Sequence, residues 1–434
     1  MNTKVWLLAP ALALAVAACD VDSLLDVPDP DVVSVPVVQD PENLSAVKAG
    51  AIREFARAVG GVQNNEGGQI LYSGLFADEY YHSGSFTTRQ EVDARDIAET
   101  NAGNGTAFFW LQRARNHAAL AAQMFAESDE AGSADHADVL GLEGFTYVLF
   151  GENYCSGVPF STLPIAGETE YGEPLSRTEM FNRAIDQFDA ALGMVSSGTE
   201  ADMARIGKAR ALLNLGQYGQ AAALVSSIPT SFGRDVAYSE SVQAAWNAVW
   251  NLVNAEKRWS AAASEGTNGL PFGTDARTTI AFTGPGFRAT VDHYEQLRYD
   301  TQGDDVPLAT GTEARLIEAE DALNNGPRAD FFSIHNGLRT AAGLPTLTDT
   351  GQTFDELVDL HFEERAYWLW QTSHRLGDLR RLVLQYDRSP ADVYPVGATV
   401  QGETRGNQLT LRVPFDERTN PSYDASACDP TQPG

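Results

Sequence analysis

Long segments of this chain return an apolar residue every three or four positions. Phe109, Leu111, Ala114, Ala118 and Ala121 mark one segment, and Leu140, Leu142, Phe145, Tyr147, Val148 and Phe150 mark the next. Phe181, Ile185, Phe188, Ala191 and Leu192 mark a third. That spacing is the turn of an α-helix with one apolar stripe facing a core. Residues 204–215, 218–225 and 314–323 repeat it, and 354–386 reads as one long helix. Ser176-Arg177-Thr178-Glu179 opens the third segment as a capping box, in which hydroxyl and carboxylate satisfy each other's backbone N–H groups. No stretch alternates long enough for a large sheet, and only 409–413 reads as a short strand.

The helices pair at a regular pitch, 110–125 with 134–150 and 179–195 with 202–215. Within 211–221, Leu215-Gly216 is followed by Tyr218 two positions on and Ala221 three after that, the spacing of a tetratricopeptide hairpin. On this reading the Gly lets two helices approach, the Tyr fills the groove between them and the Ala admits the next helix. The fold class expected is mainly α: tetratricopeptide-like helical hairpins form a scaffold bearing long irregular ligand-binding loops. Those loops are roughly 60–106 and 226–311, rich in Gly, Ser, Thr, Asn and aromatics. A rigid frame carrying such loops is built for binding.

Of 434 residues, 59 are Asp or Glu and 30 Lys or Arg, a formal charge of −29. Phosphate backbones require clustered Lys and Arg, so nucleic acid is excluded as a partner, as is a basic membrane-docking face. No apolar run reaches the roughly 20 residues that span a bilayer. No phosphate loop, nucleophile elbow, His-Glu-x-x-His or Cys-x-x-Cys is present. No catalytic residue, metal ligand or cofactor is assigned. Asp78-Glu79 and Asp304-Asp305 are the carboxylate pairs a glycosidase would use, but a chain so rich in acids makes such pairs by chance. His361 and His374 sit near acids on a helix, where an ion pair outweighs a metal site.

The N-terminus assigns a compartment. Lys4 precedes a short apolar stretch and then Val16-Ala17-Ala18-Cys19. Residues 1–18 read as a lipoprotein signal peptide, ending in a bacterial lipobox with Cys19 as the lipidated residue. Two or three acyl chains would anchor the protein without a spanning helix. Residues 19–40 are acidic and proline-bearing, an extended tether. Cys155 and Cys428 remain. Beyond the cytoplasm they form a disulfide or stay as two thiols, and the bridge is favoured.

Glu363-Glu364-Arg365, His374-Arg375 and Asp378-Leu379-Arg380-Arg381 crowd one predicted helix. Helical spacing puts both Arg375 and His374 near Asp378. The interleaved Tyr367, Trp368 and Trp370 favour a buried ion-pair network over an anion site.

These residues, in this order, resemble the SusD/RagB family. Residues 360–381 resemble its C-terminal signature "ER…EL…EGxR…DLrR", with Gln371-Thr372-Ser373 where "EG" usually precedes the Arg. Glu313-Ala314-Arg315-Leu316-Ile317-Glu318-Ala319-Glu320 resembles "EArLieAEA". Ile334-His335-Asn336-Gly337-Leu338-Arg339 with Ala342-Gly343-Leu344 resembles "iNxlRxraGl", and 150–160 resembles "yfGdvPl". The resemblance implies that 41–434 form a single SusD-like domain. It also implies an outer-membrane, lipid-anchored protein facing the cell exterior, a binder and not an enzyme. Such a protein captures an oligosaccharide or other small nutrient for a SusC-like TonB-dependent transporter.

A sugar offers apolar C–H faces and polar edges, so rings beside amides and guanidinium groups suit it. The loops supply Tyr80, Tyr81, Phe86, Trp246, Trp250, Trp259, Phe272, Phe282 and Tyr294, with Asn268, Arg277 and Arg288 near them. Tyr80, Tyr81, Trp259, Phe272, Asn268, Arg277 and Tyr294 are the candidate ligand contacts. A lipidated scaffold for envelope assembly and a glycoside hydrolase are the competing readings.

Overall fold

The computed structural model describes residues 43–62, 66–162 and 168–434. The expected leader, Cys19 and the tether all lie outside these residues. The longer helices are α1 (Leu44–Gly60), α2 (Gln69–Phe76), α3 (Thr87–Asp93), α4 (Ala102–Ala126), α5 (Ala134–Asn153) and α6 (Arg177–Met194). They continue with α7 (Thr199–Asn214), α8 (Tyr218–Val225), α9 (Gly311–Asn324), α10 (Arg328–Ala341), α11 (Phe354–Trp368) and α12 (Arg375–Gln385). The fold is mainly α.

Helices adjacent in sequence pack in space: α4 on α5, α5 on α6, α6 on α7 and α7 on α8. The array then resumes with α9 on α8 and α10 on α9, while α1 lies on α4. Helix α5 is buried along nearly its whole length, its acids Asp138, Glu143 and Glu152 included. Ser176 and Glu179 form the reciprocal capping box at the start of α6.

Gly216 does not act as the spacing implied. Its φ is +72° and a Cβ there would meet open space, so it supplies the left-handed turn between α7 and α8. Close approach falls instead to Gly207, where a Cβ would overlap the Phe188 ring. Tyr218 leaves the hairpin groove and packs near Tyr386, 6.4 Å between centroids.

The two long segments expected as irregular loops carry short elements. Strand β1 (Tyr80–His82) pairs antiparallel with β3 (Trp259–Ala261). Strand β2 (Gly233–Val236) pairs with β6 (Val306–Thr310). Strands β4 (Ile280–Pro285) and β5 (Asp292–Gln296) form a hairpin in which Phe282 faces Tyr294. Residues 409–413 form no strand, only a bridge from Leu411 to Tyr154.

The helix expected over 354–386 breaks between α11 and α12. Gln371 and Ser373 take φ of 58° and 63°, which an L-residue adopts only when its surroundings impose it. Glu79 Oε1 accepts from the Gln371 N–H at 2.7 Å, and the Tyr299 hydroxyl donates to the Gln371 carbonyl at 3.0 Å. Cys155 and Cys428 are joined by a disulfide. No helix among the described residues is long and apolar enough to cross a membrane.

Candidate functional site

The break in the last long helix redirects its charges. Arg365 forks onto Asp378 through Nε and Nη2, both at 2.9 Å, and Arg381 Nη2 donates to the same carboxylate at 2.9 Å. Burial would raise the Asp378 carboxyl, yet Arg365 and Arg381 hold it well below the ordinary range. Arg381 also bonds Glu320, which accepts from the Tyr386 hydroxyl at 2.8 Å and lies 3.3 Å from His361 Nε2. Arg375 turns from Asp378 to Asp78, and His374 turns to Glu313, 3.1 Å away. The pairs expected from a continuous helix are therefore replaced by pairs across elements. All of these groups are buried, so the cluster is structural. No group of His, Cys, Asp and Glu among the described residues is arranged to hold a metal.

The carboxylate pairs considered for glycoside hydrolysis are likewise engaged. Asp78 holds Arg375 and Glu79 holds the Gln371 N–H. Asp304 accepts from the backbone of Asp300 and Thr301, and Asp305 accepts from the Tyr238 N–H at 2.8 Å.

Several expected ligand contacts prove to be interior. Tyr80, Trp259 and Phe272 have no exposed surface, and a ring without an exposed face offers no platform. Tyr81 is buried too, its hydroxyl donating to the Asp292 carbonyl at 2.8 Å. Strand β1 is covered on both sides, so both rings are buried. Asn268 holds its own neighbourhood: Nδ2 donates to the Tyr394 carbonyl at 2.9 Å, and Oδ1 accepts from the Val396 N–H at 3.2 Å. Arg277 is clamped between Asp275, with two bonds of 2.8 Å, and Glu364, with bonds of 2.7 and 3.1 Å. Only Tyr294 keeps a partly open ring, 5.5 Å from Phe282 between centroids.

Exposed rings are scattered over the described residues, Phe109, Tyr171, Phe354 and Phe415 among them, and three lie on the β4–β5 hairpin and the segment after β1. Phe282 is 59% exposed, Phe287 52% and Phe86 40%. The hairpin tip is fastened to the body by backbone bonds at 2.8 Å, from Phe287 N–H to the Lys257 carbonyl and from Arg288 N–H to the Ser83 carbonyl. The Arg258 guanidinium lies 3.8 Å from the Phe287 ring centroid and 5.2 Å from that of Phe86. Contacts of this kind hold a ring in place while leaving its other face free. Gln401 donates to the His82 and Gly84 carbonyls at 2.6 and 3.2 Å and receives Arg288. Beneath, burial together with Arg89 pushes the His82 imidazole down to about 3. Arg258 is paired with Glu256 at 2.9 Å, and Arg288 bonds Gln401. Sequence reasoning named Phe86, Phe282, Tyr294 and Arg288 but missed Phe287. Its signal was position, directly after Gly284-Pro285-Gly286, where a turn tip lifts the next side chain into solvent.

No family model matches the sequence, and no curated protein matches it. Solved structures do match. A SusD-like carbohydrate binding protein from Bacteroides vulgatus superposes with a TM-score of 0.64 at 15% identity, over 90% of this chain and 98% of its own. A SusD superfamily protein from Parabacteroides distasonis gives 0.68 at 12% identity, over 88% and 98%. A SusD-like carbohydrate binding protein from Bacteroides fragilis gives 0.67 at 14% identity, over 89% and 99%. The chain has the SusD-like fold from end to end of those proteins.

Proposed function

We propose that this protein binds an oligosaccharide at the surface built by Phe86, Phe282, Phe287 and Tyr294. The observation that carries the reading is the fastened hairpin, which presents three partly open rings beside Arg258, Arg288 and Gln401. Rings take the C–H faces of a sugar, and guanidinium and amide groups take its hydroxyls. The likeness in fold to proteins described as carbohydrate binding supports the same reading. Lipidation at Cys19, exposure on the outer membrane and delivery to a SusC-like TonB-dependent transporter complete the proposal, on the strength of the lipobox and the motif order. The engaged state of both carboxylate pairs favours a binder over a hydrolase.

Binding is tested with neutral oligosaccharides on an array and by titration, using the wild-type chain and Phe287→Ala. Saturable binding weakened by the substitution supports the reading, and a blank array with the folded protein removes it. Radiolabelled palmitate incorporated by the wild type but not by Cys19→Ser would establish the anchor. Recovery of a large β-barrel with the solubilised protein would establish the transporter partner.

A further inference from the structure

Apart from the hairpin, a cavity of about 320 Å³ opens between β6, the start of α9 and the turn after α11. Arg277, Arg298, Trp368, Glu313 and His374 are on its wall. Arg277 is matched by Asp275 and Glu364, and Glu313 lies 3.1 Å from His374. Arg298 is the exception. It forms no ion pair among the described residues, and its Nε is buried without a hydrogen-bond partner. Glu79 and Asp235 feel its charge without bonding it. The Tyr299 hydroxyl beside it is hydrogen-bonded to its side chain, so Nε is the atom left without a partner. In a chain with 59 acids and 30 bases, an arginine with no ion pair and one unpartnered N–H on the wall of a cavity is a candidate anion partner. A buried guanidinium N–H without an acceptor is costly, and its planar fork matches a carboxylate.

The size and the remaining wall narrow the ligand. The volume suits one sugar ring. Trp368 is half-buried and fixed by donation from Nε1 to Glu364 at 3.2 Å and by the Arg277 guanidinium 4.9 Å from its ring centroid, so the part of its indole on the cavity wall is a rigid surface for apolar C–H groups. A doubly charged phosphate would feel Glu313 and Glu364 nearby, whereas a single carboxylate balances the one unmatched arginine. We propose that this cavity binds a hexuronic acid, with the Arg298 guanidinium on its carboxylate and the Trp368 ring against its C–H face. The site is separate from the hairpin surface and stands without it.

Glucuronate and its neutral counterpart, methyl glucoside, are titrated into the folded chain at low salt and followed by saturation-transfer NMR. Saturable glucuronate binding is expected, weakened at least tenfold in Arg298→Gln and in Trp368→Ala and unchanged in Phe287→Ala. Methyl glucoside is expected to leave the cavity empty in all of them. Arg298→Lys, which keeps charge and loses the fork, is expected to fall between. Absence of saturable glucuronate binding, or binding that the arginine variants leave untouched, overturns the proposal. Loss of glucuronate binding in Phe287→Ala alone would move it to the hairpin and overturn it equally. If Arg298→Gln melts early, the affinity of Arg298→Lys decides: weakened binding upholds the proposal and wild-type binding overturns it. Neutral oligosaccharide binding at the hairpin is unaffected by either result, so the two readings fail separately.

Discussion

Arg375 grips Asp78 across 297 positions of sequence, Nε and Nη2 each donating to a different carboxylate oxygen at 2.7 Å. Both side chains are buried, so the pair joins the segment before β1 to the start of α12 with almost no water between. Removing one partner strands the other charge in the interior, at about 3–5 kcal/mol. Arg375→Ala and Asp78→Ala are each expected to lose that much in urea unfolding. The double variant Arg375→Met with Asp78→Leu is expected to recover most of it. A double variant no better than the sum of the singles would show that the two do not act together.

Glu79, beside that pair, sets a pH dependence. Burial pushes its carboxyl up to about 8, with Asp78 adding to the rise and the Gln371 N–H and Arg375 opposing it. An unfolded glutamate titrates near ~4.3. Between those values the folded chain keeps a proton that the unfolded chain has released, so stability falls as pH rises across that window. Glu79→Gln keeps the oxygen that receives the Gln371 N–H and removes the titration. Its melting temperature is expected to decline less than that of the wild type between about pH 5 and 8. The flattening is partial, because burial also pushes Glu265 up to about 8 and Glu143 up to about 7. Parallel profiles for the two proteins would refute it.

The two glycines of the α6–α8 region predict different tolerances. Gly207→Ala drives a methyl into Phe188 and is expected to cost about 1–3 kcal/mol. Gly216→Ala meets open space but an unfavourable φ of +72°, at about 1 kcal/mol. Asparagine tolerates that conformation, so Gly216→Asn is expected to melt closer to the wild type than Gly216→Ala does.

At the hairpin, Phe287→Ala is expected to weaken oligosaccharide binding about tenfold, equivalent to ~1.4 kcal/mol. The melting temperature is expected to stay put, because the ring is 52% exposed. Phe272→Ala is the contrast: a fully buried ring against Trp370 and Tyr367, at about 3–5 kcal/mol of stability. Equal binding by the Phe287 variant and the wild type would remove the hairpin from the site.

Helices were legible because their period is local: Ser176 and Glu179 cap α6 three residues apart, and no distant contact is needed to see it. The partner of Arg375 was not legible. Spacing pointed to Asp378 only while the helix was taken as continuous, and the turn at Gln371 and Ser373 is imposed by Glu79 and Tyr299 from far along the chain. Rings failed for a related reason. Tyr80 and Trp259 look like loop aromatics in sequence, but the strands that carry them are covered from both sides by segments that only the folded chain assembles. Phe287 escaped burial through its place on a turn, and Arg298 stood out only once its neighbours had been paired off.

The bond between Cys155 and Cys428 spans 273 positions. It fastens the strip in which Pro430 receives the Leu409 N–H and Pro433 receives Arg380. A link of this sort survives only where the surroundings are oxidising. Chains detained among reducing thiols would keep that strip unlatched. Until the two thiols are oxidised, the last stretch of the chain would rest on its hydrogen bonds alone.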